Sequence, residues 1–199
     1  MERSSITTER LAGLATMISG LLWAVGGSTA LNYDSLRIGM TGPHLVLSVG
    51  GLLSLIGLAE LVRHQARDYG RAGEVGAILT SVGVVLIIAS KNLPSSTPDE
   101  TGWNVFYLGG FLLVIGSLLF GAVALRKSRL FGAPLLAIGV LSISNMVFLM
   151  GPFKVTGYEY VGTVLLPILV GFGWTALGYV LWSYEAKASS GVYLRNTTG

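Results

Sequence analysis

The 199-residue chain has no cysteine, only two histidines and 12% charged residues, where an ordinary soluble domain has about 25%. Each shortage removes a class of function. Without cysteine there are no disulfides, thiolate metal sites, iron–sulfur clusters or cysteine nucleophiles. His44 and His64 open and close one apolar run. A helix rising about 1.5 Å per residue would hold them roughly 30 Å apart, too far to share a metal or a haem. No cofactor and no metal are therefore expected.

What the chain has in quantity is apolar sequence, 52% of its residues, with a mean hydropathy of +0.68. A hydrocarbon layer about 30 Å thick is crossed by about 20 helical residues. Six runs qualify: 11–31, 45–62, 72–90, 105–125, 130–150 and 160–182. A membrane barrel would show short alternating segments instead, and these runs are continuously apolar. The expected fold is an all-α integral membrane protein, one compact bundle of six transmembrane helices occupying residues 1–199 as a single domain. Arg3, Arg10, the run from Leu11 and the small residues Ser28 and Ala30 resemble a secretory leader. That run is longer than the usual leader core of about 7–15 residues, so it is read as the first span.

The net charge of +3 comes from 13 Lys and Arg scattered in small groups between the spans, a placement that speaks of topology rather than nucleic acid. Arg10, Arg63, Arg67, Arg71, Arg126 and Arg129 are among ten cations on one side, whereas the other side carries Arg37, Lys91 and Lys154. The positive-inside rule then puts both termini in the cytoplasm of a multi-pass cell-membrane protein. Tyr33, Trp103, Tyr107 and Tyr160 near the span ends on one side, and Trp182 and Tyr184 on the other, suit the headgroup layer.

Glycine, at 28 residues, raises the question of a repeat. Gly13, Gly73 and Gly132 each open a span from the cytoplasmic side, and Gly50, Gly51 and Gly57 match Gly109, Gly110 and Gly116 at a constant offset of 59. The expectation drawn from this spacing is three helical-hairpin repeats in parallel. An inverted-repeat architecture, which needs an odd number of spans per unit, is not expected. Gly50, Ser54 and Gly57 on the second span, and Ser117 and Gly121 on the fourth, suit close helix packing.

Few residues can carry chemistry. Glu60, one turn from the end of the second span, is an ionisable group inside the spans, a proton or ligand candidate that can also pair locally with Arg63 and His64. Asn145, near Ser142 and Ser144, is the strongest deeper polar group and is expected to hydrogen-bond between helices. Arg63, Arg67 and Arg71 beside Gly70, Gly73 and Gly76 form an anion or lipid-headgroup candidate. Arg37, Lys91 and Lys154 are candidates for an anion-attracting vestibule in the outer loops. Phe172, Trp174, Tyr179 and Trp182 form an aromatic stripe that can face lipid or core.

No nucleophile–base pair, metal cluster, nucleotide loop or midplane charge can be assembled from these residues, so the reading leans away from an enzyme. It favours a non-catalytic accessory subunit or a binder of lipid-like molecules, with a small-solute transporter or channel as the alternative. Expected partners are membrane lipids, and other membrane subunits or further copies of the chain; nucleic acid is not expected. The charge bias has a direct test. A reporter active only outside the cytoplasm, fused after Gly199, should stay silent, and activity there would overturn the six-span, both-termini-in arrangement.

Overall fold

Runs that are apolar throughout, in apolar surroundings, leave the backbone one local way to satisfy its own polar groups, the helix. The computed structural model describes residues 2–31, 41–65, 69–94, 98–150 and 164–196. Its regular elements among the described residues are α1 (Glu2–Leu31), α2 (Thr41–Gln65), α3 (Gly70–Lys91), α4 (Asp99–Lys127), α5 (Arg129–Met150) and α6 (Leu166–Asn196). No strand occurs among those residues. Six helices are long and apolar enough to cross a membrane.

The joints follow from local chemistry. Gly70 starts α3 at φ +67, a left-handed backbone that side chains disfavour, and this lets Tyr69 turn inward against Phe120 with ring centroids 5.9 Å apart. Ser128 alone separates α4 from α5. Its extended backbone donates N–H to the Ala124 carbonyl at 2.7 Å, while its own carbonyl accepts from Gly132 at 3.0 Å.

The bundle is apolar outside and finely polar within. Leu11, Leu14, Ile18, Leu21 and Val25 form one exposed stripe along α1, and Leu45, Val49, Leu52 and Ile56 form another along α2. Their three- and four-residue spacing keeps each stripe on one helix face. Exposed apolar surface on every helix suits a multi-pass membrane protein. Thr16, Ser19, Ser54, Thr80, Ser117 and Ser142 are instead buried. Four of these hydroxyls donate to the carbonyl four residues back, Thr16 to Ala12, Ser54 to Gly50, Thr80 to Gly76 and Ser117 to Leu113, so they fill space without needing another helix.

Each helix packs on its neighbours in the chain, and α6 closes the ring on α1. The contacts do not repeat with the hairpin, as the spacing of 59 led us to expect. They repeat after three helices. The two most extensive interfaces are α1/α6 and α3/α4, the next are α1/α2 and α4/α5, and the thinnest between neighbours around the ring are α2/α3 and α5/α6, with a marginal contact of α2 on α6 besides. The glycines tell the same story. In α1/α6, Gly13 faces Gly178 and Gly20 faces Gly171; in α3/α4, Gly76 faces Gly116 and Gly83 faces Gly109. At each of these eight positions an added Cβ would stand 3.0 Å or less from a carbonyl oxygen of the partner helix.

The second-ranked interfaces also correspond: Gly26 meets Leu47 and Gly50 meets Leu22, as Gly121 meets Leu136 and Gly139 meets Leu118. The chain thus contains two three-helix units, α1–α3 and α4–α6. An odd count per unit reverses the second against the first, so the repeat is inverted. The thin interfaces cut the ring elsewhere, into two tightly packed bodies, α6-α1-α2 and α3-α4-α5.

Equivalent glycines should be equally intolerant. Gly20→Ala and Gly116→Ala are each expected to cost about 1–3 kcal/mol through overpacking. Gly42→Ala, with nothing within 4 Å of the new methyl, should stay within about 0.5 kcal/mol. Detergent-titrated unfolding followed by tryptophan fluorescence reads both; strongly unequal costs at Gly20 and Gly116 would break the equivalence.

Candidate functional site

A bundle cut by two thin seams can hold space between its halves, and a partly open cavity of about 80 Å³ lies there, lined by residues from all six helices. It sits in the half of the bundle away from the chain termini, where α1, α3 and α5 end and α2, α4 and α6 begin. Trp23, Leu47, Ile87, Leu113, Met146 and Val170 supply apolar wall, and Gly27 and Gly110 supply room. Three polar side chains join them: Lys91, Ser142 and Asn145. A water occupies only about 10–15 Å³ on this measure, so there is space for several or for a small organic molecule.

Lys91 is the charged member. The last turn of α3 carries it to the cavity, and the first turns of α4 bring aromatic faces over it: Nζ lies 5.0 Å from the Trp103 ring centroid and 4.5 Å from that of Phe106. Trp103 in turn stacks on Tyr107 at 5.7 Å. Ring faces hold a cation by their quadrupole yet leave its N–H donors available. His44 at the start of α2 lies beside Lys91, and Asn92 Nδ2 donates to Ser48 Oγ at 2.8 Å. These contacts tie the α2/α3 seam at the cavity end.

Asn145 is the polar member with an unmet need. Its Oδ1 is buried and has no hydrogen-bond partner, so the interhelical bond expected of it is not made at that atom. A buried acceptor left alone costs about 1–3 kcal/mol; the Asn145 side chain lines the cavity, while Oδ1 itself keeps less than 1 Å² of accessible surface. Ser144, by contrast, donates to the Val140 carbonyl at 3.1 Å. Trp174 Nε1 is likewise buried without a partner, deeper along α6.

The other sequence candidates fall apart from this cavity. Glu60 is buried at 8% exposure, yet does not line the cavity. Its Oε2 lies 3.8 Å from an exposed Arg63, which is the local pair foreseen. Arg71 is exposed, and Arg67 lies outside the described residues. The glycines beside them make no common anion cradle, because Gly76 is packed against Phe120 and Gly116. Arg37 and Lys154 lie outside the described residues, leaving Lys91 as the describable member of the proposed vestibule. The aromatic stripe is split: Trp174 is fully buried while Phe172, Tyr179 and Trp182 point outward.

The apolar run stops at residue 90, so by sequence Lys91 reads as an outer-loop charge. One more residue of helix, plus the ring pair Trp103 and Phe106 a few residues into the next helix, was the signal that it belongs to the bundle. No protein-family model matches this chain, and no match was found among curated proteins or solved structures.

An i,i+3 pair with one exposed partner contributes little. Glu60→Gln is accordingly expected to shift the unfolding free energy by no more than about 0.5 kcal/mol. A loss of several kcal/mol in a detergent-unfolding titration would show that the carboxylate has a larger structural task than this pair.

Proposed function

We propose that this multi-pass protein binds a small amphiphile in the six-helix cavity: an apolar body against Trp23, Leu47, Leu113 and Met146, and a head carrying an anionic oxygen and a hydroxyl or N–H group. The observation that carries the reading is the juxtaposition in one cavity of an ammonium seated on aromatic rings and an amide oxygen lacking a donor. Lys91 would take the anionic oxygen and the Asn145 amide the donor, once a rotation of its side chain brings Oδ1 to the cavity surface, with apolar walls contributing about 25 cal/mol for each Å² they remove from water. Sites of this make-up, mostly apolar with a few convergent polar groups, are the ordinary form of small-molecule pockets. With the charge bias read as before, the site faces away from the cytoplasm.

This reading belongs to the lipid-like binders among the functions considered from sequence. Calorimetry on the protein in nanodiscs tests it with 2-hydroxyhexanoate as probe and hexylammonium as control. Saturable binding of the hydroxy acid and none of the amine is expected. Lys91→Gln should weaken it about tenfold, equivalent to about 1.4 kcal/mol, and Asn145→Leu should remove the preference for 2-hydroxyhexanoate over hexanoate. Equal binding of amine and acid, or no saturable binding of either, would overturn the assignment.

A further inference from the structure

The two inverted units are made alike, but the two ends of the molecule are not alike. At the end away from the termini, the seam between the bodies α6-α1-α2 and α3-α4-α5 widens into the cavity. Trp23, Leu47 and Val170 line it from the first body, and Ile87, Leu113 and Asn145 from the second. At the other end the described seam residues are closed more tightly. Leu58, Leu61 and Leu177 of the first body and Ala77, Phe120 and Phe131 of the second are at most 2% exposed, against 3–9% for Trp23, Leu47, Ile87, Leu113 and Val170 around the cavity.

A pseudo-two-fold axis that exchanges the bodies also exchanges the ends. Exchanging the bodies about that axis would give a second arrangement, built on the equivalent contacts of the opposite unit. In it, the seam would be closed at the present cavity end and open at the end of the termini.

The packing says where the change would occur. Inside each body the helices meet backbone to backbone at glycine, through Gly13–Gly178 and Gly20–Gly171 in one and Gly76–Gly116 and Gly83–Gly109 in the other. Such contacts leave no slack. Between the bodies, α2/α3 and α5/α6 are the thinnest interfaces of the ring, and side chains rather than backbones bridge them, as where Gly51 meets Ile88 and Gly173 meets Ile138. Rigid bodies joined by yielding seams rock; they do not deform.

We infer that the protein is a transporter in which these two bodies rock against each other and expose the Lys91–Asn145 cavity alternately at the two ends. Rocking of one bundle against its inverted counterpart around a site between them is how alternating access operates in inverted-repeat carriers generally. The inference rests on the ligand-binding reading for its cargo, a small amphiphile with an anionic head. It rests on the repeat and the one-sided cavity for its motion.

The natural absence of cysteine makes the test direct, because two introduced cysteines are the sole labelling sites. Leu45→Cys with Leu108→Cys spans the seam at the cavity end, and Leu11→Cys with Leu130→Cys spans it at the end of the termini. All four residues are exposed on the outer surface. Nitroxide distances would be measured by pulsed electron resonance in nanodiscs, with and without 2-hydroxyhexanoate, and calorimetry on the same labelled proteins would report binding.

Two distance populations at each end are expected, with the longer one at the cavity end matching the shorter one at the other. Added probe should shift the two ends in opposite senses. A single, probe-insensitive distance at both ends while the probe still binds would make this a static binder and overturn the transporter. So would both ends widening together. Reciprocal populations without probe binding would uphold the motion and reject the ligand class instead.

Discussion

The close approach of helix backbones at paired glycines is the constraint on which the rest of this structure depends. Where the medium around helices is as apolar as their side chains, burial of leucine drives nothing, and cohesion must come from dispersion at short range and from polar groups held inside. Gly20 against Gly171 and Gly83 against Gly109 bring carbonyl oxygens to distances that no larger residue permits. Many leucines and isoleucines are left on the outer surface, and the interior combines glycine, serine and threonine at the closest helix contacts with buried leucine, isoleucine and a few aromatics around them. Thr80 and Thr175 make the point in the same way on the two helices they occupy, each donating to the carbonyl of the glycine four residues back, Gly76 and Gly171.

The sequence made the helices legible, and most of the residues that pack them, because length and apolar content alone decide whether a helix can span a membrane. It misled on the repeat for a physical reason. Six evenly spaced antiparallel spans bring every second loop to the same end, so a match at an offset of 59 arises from hairpin length and frequent glycine. The true equivalence sets Gly13 and Gly20 against Gly109 and Gly116, 96 residues on, and Gly76 and Gly83 against Gly171 and Gly178, 95 residues on. The shared pattern of glycine, threonine and glycine at 76, 80 and 83 and at 171, 175 and 178 was present in the chain. It gained meaning only once the helices' partners were known. Asn145 was legible as an anomaly, since an amide deep in an apolar run has few harmless explanations. Its cavity was not, because a cavity is made by six helices together.

The distribution of polar groups along the interior then separates structure from function. The buried hydroxyls are mostly satisfied by their own helices, and the Ser19 and Ser54 hydroxyls bond to each other at 2.6 Å while Ser54 also accepts from Trp23 Nε1 at 3.0 Å. Asn145 Oδ1 and Trp174 Nε1 stand apart from these satisfied groups as buried atoms without a partner, and of the two residues it is Asn145 that lines the cavity. Trp23 both completes that polar cluster and lines the cavity, so one wall of the site is fixed by the packing of α1 on α2.

The position of the single described charge in the cavity follows the same energetics. An ammonium at mid-membrane would cost several kcal/mol, whereas at the last residue of α3 it can rest on ring faces near the end of the span. Placing the charge at the mouth and the unmet acceptor further in orders the site along the bundle axis, charged head outward and apolar body inward. Only the apolar part of a bound molecule then has to enter the narrow middle of the bundle. There the wall is continuous with the fully buried side chains of Trp174, Leu177 and Phe120. Because that packing is side chain rather than backbone, it belongs to the part of the structure that can repack, while the glycine contacts on either side of it cannot.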